Sequence, residues 1–524
     1  MLKGGIEMKT VRNVTITEWN GEEIIEPISM VETPREICEL MVSLISKGSD
    51  ARILDAGCGK GAFLRVLKEK GFKNIFGIEI SKNLAEYCKR ITENIVCGDF
   101  LRYNFAYKYD VIIGNPPYAH FNDLPSGIRE EVSHIAGTKE SDIYYAFIIK
   151  AVELLEEGGE LIFIVPYGFT YNTFAKKVRK YLDGGVEIFI DLDEAHIFEG
   201  ENPETVIFKY VKRPFTEKSG DKLMKVLRLK DKNASPRRIK MLALKALKER
   251  KANELFHYFE RKPFSFTEKV WSSFPEFSFT VGKGGEWKKV KEVAKVCVGF
   301  VTGFDKAFII DKNEEESLTE SERKLIKRFI KAKNCRGFWT EGEVRYIFTN
   351  DIANEEDLRR FPNIFKRISR YKSEMQARYL PKGKKWFHWQ AVRNREIVEK
   401  HLNAAKIFVP TLDRSEKNRF SLTYDEVYPS GDVLMIIPHQ IDEFFLLGFL
   451  NSEFFRKYYL SNGGRRGGRI AFTQKLISEA EIPPFSEEAK QKISKFAKLI
   501  YERRDLRYRN EIERVIDAEK FHFA

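Results

Sequence analysis

Near residue 52 the chain reads Arg52-Ile53-Leu54-Asp55-Ala56-Gly57-Cys58-Gly59-Lys60-Gly61, a short apolar strand that runs into a glycine-rich loop. Residues 62–70, which follow, have the apolar spacing of a helix. Glycines directly after a strand permit positive φ angles and close approach of a ligand, and the next helix presents free N–H groups. Such a loop suits dinucleotides, phosphates and S-adenosylmethionine alike. Gly57 and Gly59 are therefore candidate ligand-binding residues, with the ligand still open.

The same rhythm of strand and helix continues on both sides of this loop. Strands are predicted at 74–80, 94–98, 109–114, 160–165, 187–192 and 206–212, and helices at 34–48, 82–90 and 142–155. Strands that alternate with helices indicate a parallel sheet with right-handed crossovers. A polar and basic segment at 213–251 interrupts the pattern. We therefore expect an α/β domain at 1–250 and a second domain at 251–524, which ends in a charged helical tail at 486–519.

The composition limits the class of protein. The chain has 524 residues, 43% of them hydrophobic and 32% charged, which is enough for two cores. It contains no uncharged apolar run of roughly 18 residues and no secretory signal after Met1, so we expect a cytoplasmic protein without a membrane partner. The six cysteines lack metal-ligand spacing, so we expect reduced thiols and no metal. The net charge of +13 favours a polyanionic partner such as nucleic acid.

Acidic residues at the ends of two predicted strands narrow the choice of ligand. Glu79 lies about 20 residues past the glycine loop, where a carboxylate accepts hydrogen bonds from both ribose hydroxyls. Asp99 ends a third strand and offers an acceptor for an adenine amino group, beside Phe100 as a wall for its ring. Taken singly, each of these residues is equally compatible with an ordinary strand end or core position. Together and in this order they favour a nucleoside cofactor.

The motif Asn115-Pro116-Pro117-Tyr118 follows the apolar strand at 109–114. Open α/β sheets bind their ligands at the carboxyl ends of strands, so this is an active-site position. The prolines restrict the backbone so that the Asn115 carboxamide oxygen and the Pro116 carbonyl can both accept from one amino group. An amino nitrogen conjugated to a ring gains nucleophilicity when two acceptors bias it toward a pyramidal geometry. The motif predicts methyl transfer to such a nitrogen from S-adenosylmethionine, without a metal.

With these motifs the chain resembles the gamma-type adenine DNA methyltransferases, and most of all the TaqI DNA methyltransferase family. The glycine loop departs from the TaqI form, which begins with glutamate and has fewer glycines. The likeness covers most of the first half, through Val31-Glu32-Thr33-Pro34, 55–63, Glu79, Asp99-Phe100, Asn115-Pro116-Pro117-Tyr118, 144–147, 157–166 and Ile197-Phe198-Glu199. The resemblance implies a Rossmann-like methyltransferase domain followed by a mixed α+β DNA-specificity domain. It also implies that Thr33, Asp55, Glu79, Asp99 and Phe100 contact the cofactor.

The resemblance further implies that the target adenine is flipped out of duplex DNA. Asn115 and Pro116 would hold its amino group, Tyr118 would stack on one face, and Phe198 would lie against the extruded base. Stacking on aromatic side chains offsets part of the few kcal/mol that unpairing costs. The catalytic residues are thus predicted to be Asn115, Pro116, Tyr118 and Phe198.

The second half resembles the DNA-specificity domain of the same family in shorter stretches. They are 298–308 and, more loosely, 330–334, 338–339 and 450–453. Within Gly463-Gly464-Arg465-Arg466-Gly467-Gly468-Arg469, three arginines lie in a flexible backbone, which favours contacts to DNA phosphates or bases. Basic and aromatic residues interleave in Lys384-Lys385-Trp386-Phe387-His388-Trp389, where DNA contact and core packing are equally plausible.

Several alternatives remain open. The Asn-Pro-Pro-Tyr motif also occurs in enzymes that methylate a protein glutamine amide or an RNA adenine. A DNA-binding protein with a relict methyltransferase fold is a second alternative. About 30 residues precede the first motif, too few for a nuclease domain, so we expect methylation without cleavage. We expect a monomer acting on double-stranded DNA, with a cognate restriction endonuclease as a separate protein.

Overall fold

A computed structural model describes residues 9–11, 14–19, 22–27 and 32–519, apart from 120, 122–123, 140, 199–202, 214–221, 269–270, 274–286, 463–464 and 467–468. For 9–27 and 465–466 it describes the backbone alone. The chain divides into two compact units, Met1–Glu276 and Phe277–Ala524. Each unit has its own hydrophobic core.

The first unit is built from strands and helices that largely alternate. Its strands are β1 (Lys9–Val11), β2 (Val14–Trp19), β3 (Glu22–Pro27), β4 (Arg52–Ala56), β5 (Asn74–Glu79), β6 (Ile95–Cys97), β7 (Tyr109–Gly114), β8 (Leu155–Pro166), β9 (Val186–Asp193), β10 (Thr205–Val211), β11 (Met224–Leu229) and β12 (Phe256–Arg261). Its helices are α1 (Arg35–Val42), α2 (Ala62–Glu69), α3 (Lys82–Cys88), α4 (Ser126–Ala136), α5 (Ile143–Leu154), α6 (Lys176–Tyr181) and α7 (Pro236–Glu249).

Nine of these strands form one sheet in the order β12-β11-β9-β10-β8-β7-β4-β5-β6. Strands β4 to β8 pair in parallel, as predicted, so the carboxyl ends of β4, β5, β6 and β7 share one edge. Strand β10 is antiparallel to both of its neighbours, which makes the sheet mixed rather than wholly parallel. The strands β1, β2 and β3 form a separate antiparallel meander.

The sheet is covered on both faces. Leu54 and Ile112 point into a core cluster with α4 and α5, whereas their neighbours Ile53 and Val111 belong to a second cluster with α1, α2 and α7. Apolar residues on both sides of a strand are expected when helices pack against both faces of a sheet. The predicted α/β fold class is confirmed.

The domain boundary expected near residue 250 lies later in the chain. The described part of the segment 213–251 belongs to the first unit, because β11 pairs in parallel with β9 and the following strand β12 pairs with β11. The basic residues of α7 that suggested a domain boundary lie on its outer face, while Ile239, Leu242 and Ala246 are buried. Lysine and arginine on an exposed face are compatible with a well-packed amphipathic helix. The first unit therefore runs to Glu276.

The second unit mixes short strands and helices. Its strands are β13 (Lys288–Lys289), β14 (Ala294–Val298), β15 (Ile309–Ile310), β16 (Ile326–Ile330), β17 (Phe338–Trp339), β18 (Val344–Ile347), β19 (Lys406–Pro410), β20 (Leu412–Asp413), β21 (Ser421–Thr423), β22 (Tyr428–Pro429), β23 (Val433–Pro438), β24 (Arg465–Arg466), β25 (Arg469–Ala471) and β26 (Glu481–Ile482). Its helices are α8 (Val290–Val293), α9 (Asp305–Phe308), α10 (Lys312–Glu316), α11 (Glu320–Arg323), α12 (Glu355–Arg359), α13 (Pro362–Ser369), α14 (Lys372–Ala377), α15 (Arg395–Lys400), α16 (Glu443–Leu450), α17 (Glu453–Ser461), α18 (Gln474–Ser478), α19 (Glu487–Arg503) and α20 (Arg509–Ala518).

The main sheets of this unit are five-stranded, in the order β14-β23-β19-β21-β17, and four-stranded, in the order β15-β18-β16-β22. Helices α16 and α19 pack on one face of the first sheet. The charged tail expected as one helix is two, because Arg504 adopts a left-handed φ of 56° that ends α19. The predicted mixed α+β architecture is confirmed. In the part of the chain that the structure describes, every helix is too short or too polar to cross a membrane.

Candidate active site

A cavity of about 320 Å³ opens at the carboxyl ends of β4 to β7. Parallel strands bring the loops that follow them to one edge, which is why residues far apart in sequence meet there. The cavity is lined by most of the predicted site residues, namely Thr33, Gly57, Gly59, Glu79, Asp99, Phe100, Asn115, Pro116 and Tyr118. Asp55 and Phe198 lie behind its wall. Val31 and Glu199, also part of the matched motifs, fall outside the described residues.

The glycine loop is held open by backbone geometry and by Glu79. Gly57, Gly59 and Gly61 have φ angles of 84°, 52° and 75°, which side-chain-bearing residues rarely adopt. One oxygen of Glu79 accepts from the N–H of Gly59 at 2.8 Å, and the other accepts from the N–H of Ser81 at 2.9 Å. Each carboxylate oxygen retains further lone pairs for a ligand. Glu79 therefore both positions the loop and presents a charged acceptor to the cavity.

Asp99 and Phe100 form a polar and an aromatic part of the wall. One oxygen of Asp99 accepts from the N–H of Leu101 at 2.9 Å, and Arg102 lies 3.8 Å from the other. The Phe100 ring stacks on Phe147 with centroids 4.8 Å apart and an angle of 28°. A carboxylate beside a flat apolar surface suits a planar ring that carries an amino group.

Two wall residues were missed as site residues in the sequence. Ile80 follows β5 directly and is 41% exposed at the cavity, next to Glu79. Phe147 lies on α5 and reaches the same cavity. An apolar residue directly after the acidic strand end was the available signal for Ile80. Helical apolar spacing alone does not separate Phe147 from its buried neighbours on α5.

Asn115 is oriented by a residue distant in sequence. Its Nδ2 donates to Thr33 Oγ1 at 3.1 Å. Its Oδ1 is buried and has no hydrogen-bond partner among the described residues. A buried acceptor without a partner is costly, so such an atom marks a place where a ligand donor binds. Because Thr33 holds the Asn115 Nδ2, the carboxamide oxygen is the group of this side chain that remains available to accept a hydrogen bond from a ligand.

Tyr118 and Phe198 form an aromatic pair beside the motif. Their rings meet edge to face, with centroids 6.4 Å apart and an angle of 77°. The Tyr118 hydroxyl donates to the Ile164 carbonyl at 3.1 Å, and burial raises the pKa of Tyr118. The hydroxyl therefore stays protonated, and the ring is the part of Tyr118 available for contact. Phe198 is only 6% exposed and packs into the core.

Asp55 lies below the glycine loop rather than on the cavity surface. It is 1% exposed, and neither carboxylate oxygen has a hydrogen-bond partner among the residues described. Burial, followed by the nearby Cys88 and Glu79, raises the pKa of Asp55 well above its usual value. Burial thus favours the neutral form of Asp55.

The candidate DNA-contacting residues lie in the second unit. Arg465 and Arg466 form β24, which pairs with Arg469 and Ile470 in a hairpin. The side chains of Arg465 and Arg466 fall outside the description, and Arg469 is half-buried. In the basic and aromatic stretch 384–389, Phe387 and Trp389 are buried in the core. Core packing, rather than DNA contact, is therefore the correct interpretation for these two rings.

The described residues include no cluster of three His, Cys, Asp or Glu side chains able to hold a metal ion. All six cysteines are free thiols, and five of them are buried.

The chain is similar to several known proteins. The family model for the Eco57I restriction-modification methylase matches residues 68–198. Type II methyltransferase M.MjaIV of Methanocaldococcus jannaschii is 49% identical over 258 residues, 48% of this chain and 84% of that protein. Type II methyltransferase M.HindII of Haemophilus influenzae is 29% identical over 489 residues, 86% of this chain and 88% of that protein. The solved Type IIL restriction-modification enzyme MmeI, in complex with DNA, has a TM-score of 0.62 at 13% identity, covering 93% of this chain and 72% of that chain.

The match to the Eco57I restriction-modification methylase and the identity shared with M.MjaIV place the chain in the class of restriction–modification methyltransferases. The chain belongs to the Type II methyltransferase family, because it is 49% identical to M.MjaIV over 84% of that protein. The likeness to MmeI extends the shared fold across both units.

Proposed function

We propose that the protein transfers the methyl group of S-adenosylmethionine to the exocyclic amino group of an adenine in duplex DNA. The observation that carries this proposal is the Asn115 carboxamide, whose buried Oδ1 has no partner in the described part of the chain while Thr33 holds its Nδ2. An acceptor fixed in this way matches an amino group that must be positioned for attack. The relatives named as Type II methyltransferases support the reaction class.

The residues of the cavity fit the cofactor. Glu79 offers acceptors for the ribose hydroxyls, and Asp99 offers one for the adenine amino group of the cofactor. Ile80 and the stacked Phe100 and Phe147 would enclose its ring. When bound, S-adenosylmethionine supplies an electrophilic methyl group on its sulfonium. Asp55 would act from below the loop, through its backbone position and its charge state, rather than by direct contact.

Asn115 and Pro116 would activate the target nitrogen. Its lone pair is delocalised into the adenine ring, so the free amino group is a weak nucleophile. Asn115 Oδ1 and the Pro116 carbonyl would each accept one N–H and thereby favour a pyramidal nitrogen. As the new N–C bond forms, the bond between the methyl group and sulfur would break and leave a neutral thioether. The nitrogen would then lose one proton to solvent, so the step needs no strong general base. The protonated Tyr118 hydroxyl, bound to Ile164, is unsuited to that role.

Tyr118 and Phe198 would hold the extruded base. An adenine inside a duplex is out of reach of a cavity at a sheet edge, so it must be flipped out. The Tyr118 ring lines the cavity, and Phe198 meets it edge to face. To contact the base, the Phe198 ring would have to move out of its packed position.

The second unit would supply DNA recognition. The arginine hairpin of Arg465, Arg466 and Arg469 is the sequence-predicted contact. We propose that the enzyme acts as a monomer and that a cognate restriction endonuclease is a separate protein.

The decisive experiment is transfer of tritium from labelled S-adenosylmethionine to duplex DNA, followed by digestion to nucleosides. Label in N6-methyladenine is the expected result. Label in methylated cytosine would contradict the choice of base. Transfer to RNA or to a protein glutamine, with none to DNA, would replace the proposed substrate. The Asn115→Ala protein is the control for contaminating activity.

A further inference from the structure

The second unit presents one exposed basic loop, residues 379–385, between α14 and the buried Trp389. Tyr379 at its start is 75% exposed, more than any other large hydrophobic side chain described. Lys382, Lys384 and Lys385 are all exposed, and none has a carboxylate partner among the described residues. The loop contains no acidic residue. Arg395, which is already paired with Asp351, lowers the pKa of that carboxyl most, and Lys384 is near enough to lower it further. Most of the positive charge of the loop therefore remains uncompensated.

The start of the loop is clamped by Arg378. Its guanidinium donates to the carbonyls of Met375 at 3.1 Å and Trp386 at 2.8 Å, and also to those of Thr302 and His388. Burial lowers the pKa of Arg378 to about 10, so it remains a cation at neutral pH. One cation bound to four carbonyls holds the two ends of the loop together.

Gly303 leaves room for this clamp. A Cβ atom on Gly303 would lie 3.2 Å from an Arg378 nitrogen and 3.0 Å from Gln390, at a φ of 78°. The stretch 298–308, which the sequence linked to a specificity domain, thus supports the base of the loop.

The end of the loop is held by His388. Its Nδ1 accepts from the Lys385 N–H at 3.1 Å, and its Nε2 lies 2.8 Å from the Ile352 carbonyl. These partners require a neutral imidazole with its proton on Nε2, and burial lowers the pKa of His388 in agreement.

The tip between the two anchors is a tight turn. The Lys384 N–H donates to the Pro381 carbonyl at 3.1 Å, and Gly383 has a φ of 88°. Glycine with positive φ at the third position is typical of a type II turn. The lysines therefore project from a backbone that is already ordered.

We infer that this loop, residues 379–385, is a DNA-contacting element, in which Lys382, Lys384 and Lys385 bind phosphates and the Tyr379 ring packs on a sugar or base. The inference rests on the proposed function and adds a second contact beside the arginine hairpin. A preordered loop loses less entropy on binding than a flexible one. Lysines without internal partners are suited to displacing counterions from phosphates. An aromatic side chain this exposed is suited to stacking, which tolerates any base.

The test is duplex-DNA binding measured as a function of salt concentration. Replacing Lys382, Lys384 and Lys385 by Gln should reduce the slope of log K against log salt by about 2.7, at about 0.9 per phosphate contact. The matched control replaces Lys490, Lys492 and Lys498, which are paired with Glu487, Glu488 and Glu502 on α19. The control removes the same number of positive charges, but from lysines that are already paired, so the slope should stay close to that of the wild-type protein. Equal slopes for both variants would overturn the inference.

Three single variants at two positions separate the contributions of the Tyr379 ring and of the turn from that of the lysine charges. Tyr379→Ala should weaken DNA binding at least about fivefold, whereas Tyr379→Phe should bind normally. Gly383→Ala keeps every lysine, and its added Cβ atom would have no described atom within 4 Å. A loss of DNA affinity in this variant would therefore show that the backbone conformation of the turn matters for binding. Unchanged binding by both Tyr379→Ala and Gly383→Ala would also overturn the inference. If wild-type protein neither binds nor methylates DNA, the proposed function fails instead.

Discussion

Asn115 and Thr33 form a 3.1 Å hydrogen bond that fixes which end of the Asn115 carboxamide faces the cavity. Thr33 is 5% exposed and lies just before α1, whereas Asn115 follows β7. Without this contact the carboxamide could turn its NH₂ group toward a target amino group and repel it. The bond therefore links a residue of the predicted cofactor motif to the catalytic one.

Asn115→Ala should lower the rate of methyl transfer by roughly 10²–10³, the range for loss of one preorganised transition-state contact. Binding of DNA and of S-adenosylhomocysteine should be nearly unchanged. Thr33→Val should lower the rate of methyl transfer about tenfold, because the Asn115 carboxamide oxygen remains but is no longer held in its orientation. Thr33→Ser keeps the hydroxyl and should recover most of that rate. Single-turnover kinetics measure both effects. Near-normal turnover by Asn115→Ala would refute the mechanism.

Glu79→Ala should weaken S-adenosylhomocysteine binding by roughly 1.5–3 kcal/mol, since charged acceptors contribute that much. Glu79→Gln should lose less, because one oxygen can still accept from Gly59 or Ser81. Calorimetry measures the affinity. Glu93→Ala, an exposed acidic residue in the loop before β6, is the control and should bind normally. Unchanged affinity in Glu79→Ala would remove this residue from the site.

Asp55 should make the ligand-free protein less stable as pH rises. Its folded pKa is raised well above the unfolded value of about 3.9. The folded state then holds a proton that the unfolded state has lost, so the free energy of unfolding falls with pH from about 4 up to the folded pKa. Asp55→Asn should flatten this slope in thermal denaturation. Asp50→Asn, whose side chain is 76% exposed, should leave it as in wild type. Parallel curves for Asp55→Asn and wild type would contradict the raised pKa.

Phe198→Leu should impair methylation of a paired adenine more than that of an adenine opposite a mismatch, because a weakly paired base costs less to extrude. The substitution nearly conserves volume, so the loss of stability should stay below about 1.5 kcal/mol. Phe208→Leu, fully buried in β10, controls for general packing and should show no rescue by a mismatch. Equal defects on paired and mismatched sites would exclude a stacking role for Phe198.

Replacing Arg465, Arg466 and Arg469 by Gln should lower DNA affinity and flatten its salt dependence, because fewer counterions are released on binding. Binding of S-adenosylhomocysteine should be untouched. A salt slope equal to that of wild type would show that the hairpin faces away from DNA.

The sequence by itself determined the parts of the fold that depend on local pattern. Strands β4 to β8 and helices α1, α2, α3 and α5 follow from apolar periodicity, whereas α4 was not predicted. Gly57, Gly59, Glu79 and Asn115 follow from their positions at strand ends. The carboxyl ends of parallel strands meet at one edge, so the cavity was predictable without long-range information.

Only the tertiary structure decided which side chains satisfy one another. Asn115 and Thr33 are 82 residues apart, and no local pattern announces their hydrogen bond. Asp55 does not lie on the cavity surface as expected, because the fold buries it, with no hydrogen-bond partner among the residues that the structure describes. Strands β11 and β12 were not predicted, because the charged outer face of α7 made this part of the chain look like a domain boundary. A polar composition indicates that residues are exposed, but sheet pairing depends on backbone contacts between distant segments. The clamp of Arg378 on four carbonyls is likewise a product of packing, because a buried cation must find acceptors wherever the fold provides them.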